Sequence, residues 1–202
     1  VHDDLMDHSD TRRGLPSVHR RVEAAHGIAP GDGPAEQFGC DIAILLGDLL
    51  LMWSSQMFTS APVKADRLAA ATPLLDAMRT EVTCGQVLDV TSQSGMAGSD
   101  SESALDLVGR VVEYKCASYT VVRPCQIGVA LAGGSDRLQQ TMADFGSPIG
   151  RAFQYRDDLL GVFGDAELTG KPAGDDLREG KRTVLVAHAL NRAAAYDAAR
   201  WT

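Results

Sequence analysis

Within its first thirteen residues the chain, which opens VHDDLMDHSDTRRGLP, places four aspartates, Asp3, Asp4, Asp7 and Asp10, and then Arg12 and Arg13. Positions four apart on a helix share a face, so Asp3 and Asp7 point the same way, with Asp4 on the shoulder and Asp10 one turn further along. Stacked carboxylates repel, and taken alone this run reads equally well as a solvated acidic face. An EF-hand calcium loop fits less well, because its alternating ligands and central glycine are missing. A second pair, Asp157 and Asp158, recurs in FQYRDDLLGVFGD, on another strongly apolar helical stretch. Taking two such pairs out of water is expensive unless cations neutralise them, since clustered carboxylates raise one another's pKa values. Mg²⁺ is the natural cation: it takes hard oxygen ligands, uses few carboxylates, and leaves positions for phosphate oxygens. The expected ligand is then a polyphosphate. Arg12 and Arg13, two to three turns beyond the first aspartates, would offer it planar guanidinium forks. Lys115, Lys171 and Lys181 would add point charges around the same anion, although each by itself reads as a solvated surface lysine.

Long helices must position these groups. Phe38, Ile42, Leu45, Leu46, Leu49 and Trp53 recur at steps of three and four, predicting a central helix with one apolar stripe. A second helix is expected over about 64–91, with Pro73 starting or kinking it and Leu75, Met78 and Val82 facing inward. The loop SQSGMAGSD follows, and Ser99 and Glu102 have capping-box spacing for a third helix that carries Lys115 and runs to a break before Pro124. Gly133 and Gly134 punctuate the chain; Asp136 to about Gly164 is helical with a kink at Pro148; and a last helix takes in Val184 to Ala199. Between them, DAELTGKPAGDDLREGKRT has the composition of a mobile loop. No strand alternation runs longer than a few residues, so the fold class is all-α, a bundle of long helices.

Composition narrows the function classes. The 202 residues fit one domain, 1–202, with a sizeable core. A formal charge of -8 argues against nucleic acid as a partner, because such binding rests on clustered positive charge. Cys40, Cys84, Cys116 and Cys125 form no C-x-x-C pair, which points to reduced, cytoplasmic thiols rather than zinc or a disulfide scaffold. The longest apolar run, IAILLGDLLLMW, is 12 residues with Asp48 inside it, against the roughly 20 residues a membrane span needs. The chain starts at Val1 rather than Met, within what reads as a helix, as a piece of something longer would.

HDDLMDHSDTRRGLPSVH, EYKCASYT, GRAFQYRDDLLGVFGD and TGKPAGDDLREGKRT resemble, in this order, the motifs of trans-isoprenyl (polyprenyl) diphosphate synthases; AILLGDLLL and EVTCGQVLD extend the likeness over nearly the whole chain. The resemblance implies an all-α isoprenoid-synthase fold in which two Asp-rich helices face each other across a cavity, usually in a homodimer. It implies that Asp3, Asp4 and Asp7 form the first DDxxD motif, with Asp3 and Asp7 bridging Mg²⁺ to an allylic diphosphate. Arg12 then holds that diphosphate and Arg13 helps to hold isopentenyl diphosphate. Lys115, Gln154 and Lys171 surround the allylic diphosphate and the reacting carbon, Asp157 and Asp158 belong to the second motif and a third Mg²⁺ ion, and Lys181 fits the GK position of a flexible loop. Gln86 and Asp89 match a GQ-x-x-D stretch, for which helix packing is an equally good account.

Three departures from the family pattern stand out. Gly161 replaces a third aspartate found in many members, Cys116 replaces a common threonine, and the segment that clamps isopentenyl diphosphate would precede Val1. The implied activity is elongation of an allylic diphosphate by isopentenyl diphosphate, with a C20 product favoured by the two-residue spacing in DDLMD. A terpene cyclase of the same fold and a non-catalytic partner subunit are the alternatives; the RRG sequence favours elongation, because a cyclase has no second diphosphate to hold.

Overall fold

The structure, a computed structural model, describes residues 1–28, 33–93, 101–165, 174–178 and 180–201. The chain divides into two compact units, Val1–Pro62 and Val63–Thr202.

In the first unit a short helix α1 (His2–Met6) is followed by a two-stranded hairpin, β1 (Thr11–Arg12) and β2 (Leu15–Pro16), then by α2 (Val18–Ile28) and α3 (Ala35–Thr59). These are the only strands among the described residues, and the sequence pattern does not signal them. The turn places Arg13 and Gly14 at φ 53° and 74°, the paired left-handed conformation that suits a tight two-residue hairpin. The chain therefore leaves the helix at Asp7 and doubles back, which corrects the expectation that Arg12 and Arg13 continue along the acidic helix.

α3 also differs from expectation. Much of its large apolar stripe is exposed, with Leu45 57% and Trp53 55% accessible and Ile42 and Leu46 half-buried, while Gly39, Ala43 and Gly47 are the buried positions. These three lie four residues apart, on one face, and allow close approach. A Cβ on Gly39 would stand 2.5 Å from the His19 carbonyl oxygen, and one on Gly47 2.1 Å from the His2 ring. The closest approach inside this unit thus runs through small residues, with Phe38 and Leu46 of the stripe reaching α2 beside them. At 25 residues, α3 is also long and apolar enough to cross a membrane by length and composition, which corrects the reading from its 12-residue core run. Asp48, within that run, faces His2 at 3.5 Å.

The second unit contains α4 (Ala65–Gln93), α5 (Ser101–Val111), a π-helix (Val112–Val122), α6 (Arg123–Ala132), α7 (Asp136–Phe163), the short α8 (Asp175–Arg178) and α9 (Val184–Trp201). Pro73 and Pro148 lie inside α4 and α7, as expected. The expected cap residue Ser99 lies outside the described residues. Helical structure does not break before Pro124; it widens into the π-helix and resumes as α6, where Pro124 falls in the first turn, whose N–H groups need no partner in the preceding turn. Gly133, at φ 76°, ends α6, and the Arg67 guanidinium fills the space a side chain there would need. Ser135 caps α7 by accepting from the Leu138 N–H at 3.3 Å.

The π-helix lies between α4 and α7, and glycines set both contacts. A Cβ on Gly85 of α4 would stand 2.4 Å from the Lys115 backbone nitrogen, and one on Gly150 of α7 2.5 Å from the Ala117 Cα. Val108, Val111, Val112, Ala117, Val122, Val129 and Ala130 fill the core between these helices. Each buried valine contributes about 1.5–3 kcal/mol. Polar bridges fix the register: Glu81 of α4 accepts from Ser118 and from both ends of the Arg123 fork, and Glu113 accepts from Ser147 at 3.0 Å and Arg151 at 2.6 Å.

Candidate active site

In the first unit, His2 secures α1 to α3 through a 2.9 Å hydrogen bond between its Nε2 and the Ile44 carbonyl oxygen, and so positions the aspartates that follow. Asp4 is the most buried of these, 4% accessible, and Arg12 donates from Nε to its carboxylate at 2.6 Å. A second Arg12 nitrogen contacts Asp4, and a longer bond of 3.5 Å reaches Asp3. The hydrogen bond to Asp4, with the charges of Asp4, Asp3 and Asp7, raises the Arg12 pKa further. Asp7 caps α1, its N–H donating to the Asp3 carbonyl at 2.9 Å. Asp10 is off the helix and pairs with Arg20 at 2.6 Å, which corrects its expected place one turn along. Arg13 is exposed at the hairpin turn.

A cavity of about 640 Å³ in this unit, lined by Val18, Arg21, Val22, Ala25, His26, Phe38 and Leu46, includes none of the predicted site residues. The chemistry and the cavity therefore lie apart within this unit.

In the second unit, the glycine contacts decide which polar groups meet. Because Gly85 lets α4 touch the backbone at Lys115, Asp89 one turn later receives the Lys115 ammonium at 2.6 Å. Because Gly146 and Gly150 seat α7 on the π-helix, Gln154 and Asp158, at the same four-residue steps, continue along that face. Gln154 donates from Nε2 to Asp158 at 2.8 Å. Asp158 is 5% accessible whereas Asp157 is exposed. Burial pushes the Asp158 carboxyl up to about 6; the Gln154 hydrogen bond and the Lys181 charge oppose this, while Asp176 and Asp157 add to it. Cys116 lies among these groups. Its thiol is pushed up to about 12, chiefly by burial, with Lys115 opposing and Asp158, Asp89 and Asp157 adding, so it is a neutral wall and not a nucleophile at ordinary pH.

The helix-packing account of Gln86 and Asp89 is incomplete: Asp89 holds a lysine, and Gln86 Nε2 is buried without an acceptor among the described residues. Lys181 lies 3.7 Å from Asp176. Lys171 lies outside the described residues. Sequence reasoning missed two contributors, His2 and Asp176. The histidine has no local signal, whereas Asp176 stands in DDLREGKRT, whose composition signals a charged loop and hides a fixed contact within it.

Among the described residues, no three acidic, histidine or cysteine side chains close into a cage. Mg²⁺ does not require one, since it keeps waters and completes its shell with substrate oxygens. The second group fits such an ion: Asp158 is a buried carboxylate with two like-charged neighbours, Asp157 and Asp176.

The polyprenyl synthetase family model matches residues 1–201. The chain is 32% identical over 192 residues to the geranylgeranyl diphosphate synthase of Sulfolobus acidocaldarius, covering 94% of this chain and 52% of that protein. It is 33% identical, also over 192 residues, to the geranylfarnesyl diphosphate synthase of Natronomonas pharaonis, covering 95% and 50%. Among solved structures, the geranylgeranyl pyrophosphate synthase of Corynebacterium glutamicum complexed with isoprenyl diphosphate and magnesium matches with a TM-score of 0.90 and 48% identity, over 96% of this chain and 53% of that one. The chain thus spans about half the length of the relatives it matches. A match running from the first residue to the last but one, on an all-helical frame that carries both acidic motifs, makes this chain a member of the polyprenyl synthetase family.

Proposed function

We propose that this chain belongs to a Mg²⁺-dependent prenyltransferase that condenses isopentenyl diphosphate with an allylic diphosphate to give a longer all-trans polyprenyl diphosphate, with a C20 product favoured. The observation that carries this reading is Asp158, a carboxyl in the second acidic motif that burial and two neighbouring carboxylates hold at about 6. A cation beside it would offset both the burial and the like charges. The Corynebacterium glutamicum structure, complexed with isoprenyl diphosphate and magnesium, supplies the chemistry by analogy.

In this reading Asp3, Asp4 and Asp7 of the first motif and Asp157 and Asp158 of the second would hold Mg²⁺, three ions in all, and Arg12, Lys115, Gln154, Lys171 and Lys181 would bind the allylic diphosphate. Bound Mg²⁺ supplies Lewis-acid stabilisation of the diphosphate as it departs. Lys115, now on Asp89, and Arg12, now on Asp4, are cations already held in place that would stabilise the same developing charge. As the allylic carbon–oxygen bond breaks, the double bond of isopentenyl diphosphate, oriented by Arg13, forms the new carbon–carbon bond. A proton then leaves the adjacent carbon for the released diphosphate. The neutral, buried Cys116 keeps its side of the site apolar, which protects a carbocation from water. The protein acts as a cytoplasmic homodimer.

The test is to incubate the full-length protein with Mg²⁺, labelled isopentenyl diphosphate and dimethylallyl, geranyl or farnesyl diphosphate, and to separate the products. Longer linear diphosphates are expected. Cyclic hydrocarbons would make it a cyclase, and absence of turnover with all three substrates would make it a partner subunit.

A further inference from the structure

Gly161 reads from sequence as a ligand lost from the second acidic motif, but its surroundings give it a different role. A side chain there would have to displace Asp176: a Cβ would lie 2.0 Å from one carboxylate oxygen of Asp176 and 2.7 Å from its Cγ. The Gly161 carbonyl oxygen also accepts from the Gly174 N–H at 3.0 Å, so α8 is tied to α7 at this residue. Gly174, at φ 79°, has the left-handed backbone that turns the chain into α8. From there the Asp176 backbone carbonyl accepts the Lys181 N–H at 3.0 Å, and the Asp176 carboxylate faces the Lys181 ammonium at 3.7 Å. Both side chains are largely buried, 16% and 20% accessible. Lys181 is in turn one of the charges that Asp158 senses.

We propose that Gly161 is the seat for Asp176, and that Asp176 is a positioning residue that holds Lys181 toward the second acidic motif for its work on the diphosphate. This rests on the reading of Lys181 as a diphosphate ligand. It also ties Gly161 to this contact: an aspartate there would push against the Asp176 carboxylate, like charge against like charge, and displace it from its present seat. Restoring the common family residue would therefore move the Asp176 carboxylate away from Lys181 and leave the motif weaker.

The test uses the full-length protein, inorganic pyrophosphate with Mg²⁺ as the probe in calorimetric titrations, and hydrogen exchange over residues 174–182. Gly161→Asp should speed exchange in this segment and weaken pyrophosphate binding. Asp176→Asn, a smaller change should Gly161→Asp misfold, should weaken binding about tenfold, as loss of one well-placed charge-assisted contact does. In a Lys181→Ala background the same substitution should add less than about twofold, because groups acting as one unit are not additive. A purely structural role for Asp176 would instead lower the melting temperature and add its effect in full to that of Lys181→Ala. If Lys181→Ala binds pyrophosphate as the parent does, the reading of Lys181 fails and the positioning role falls with it. If Lys181→Ala weakens binding and Asp176→Asn adds to it in full, the reading of Lys181 stands and this inference is overturned. Tighter Mg²⁺ and pyrophosphate binding by Gly161→Asp would overturn it as well.

Discussion

Asp4 in the first acidic group has a cation built in beside it, and Asp158 in the second does not. Asp4 is buried under the Arg12 guanidinium, which the hairpin folds back onto it. Asp158 is equally buried, yet its closest partner is the neutral Gln154 amide, its other close charges include Asp157 and Asp176, and Lys181 opposes them only in part. The same residue type thus serves two purposes. One carboxylate fixes an arginine in place, and the other, pushed up to about 6 by burial and like charges, is one that a metal would neutralise. What separates them is local topology: a two-residue turn at Arg13 and Gly14 in one case, an unbroken helix face below Gly150 in the other.

The largest effect expected from breaking this contrast is on turnover. Asp157→Ala or Asp3→Ala in the full-length protein should lower the rate of condensation by about 10³-fold or more, the scale of losing several kcal/mol of transition-state charge stabilisation. The helical circular-dichroism signal should stay largely intact, and unchanged activity would contradict the metal assignment. Next in size, Arg12→Ala should destabilise the protein by about 1–2 kcal/mol in urea melts. That is less than the loss of a fully buried pair, because Arg12 is 47% exposed and its contribution is screened by solvent. Arg12→Lys should recover only part of it, since one ammonium cannot reproduce the fork.

The second group should respond in the opposite sense. A carboxyl raised from 3.8 to about 6 binds its proton more tightly in the folded state, so its ionisation destabilises the fold. That penalty is absent below the unfolded value, grows as pH rises toward 6, and is complete above it. Asp158→Asn should therefore melt higher than the parent in metal-free buffer at about pH 7.5, with the gap closing toward about pH 4. A mutant that melts lower at neutral pH would remove the claim that this carboxylate is under-neutralised. The smallest effect is expected at Cys116→Thr, which exchanges one neutral group for another and should change turnover less than about threefold. Rapid alkylation of Cys116 near neutral pH would contradict its assignment as a buried, protonated thiol.

How much of this was legible from sequence follows the range of the forces involved. Helix periodicity and glycine punctuation act over a few residues, so α4, α7 and the stop at Gly133 were readable, as were the acidic motifs themselves. The hairpin was hidden because Arg13 adopts a conformation that tertiary pairing imposes and propensity disfavours. The exposed stripe on α3 misled, since apolar period identifies a face but not what it packs against, and here Gly39, Ala43 and Gly47 make the contact. The Lys115–Asp89 pair and the seat of Asp176 on Gly161 span 26 and 15 positions and depend on backbones approaching where side chains are absent. A glycine in a sequence signals that possibility without naming its partner.

The most direct test is a pH titration of the Asp158 carboxyl carbon by NMR in the full-length protein, first metal-free and then with Mg²⁺ and inorganic pyrophosphate. The account predicts a midpoint near 6 in the first case and a fall below about 4 in the second, the shift expected when a cation joins a carboxylate. An ordinary carboxylate midpoint without metal, unmoved when metal and pyrophosphate are added, would contradict it.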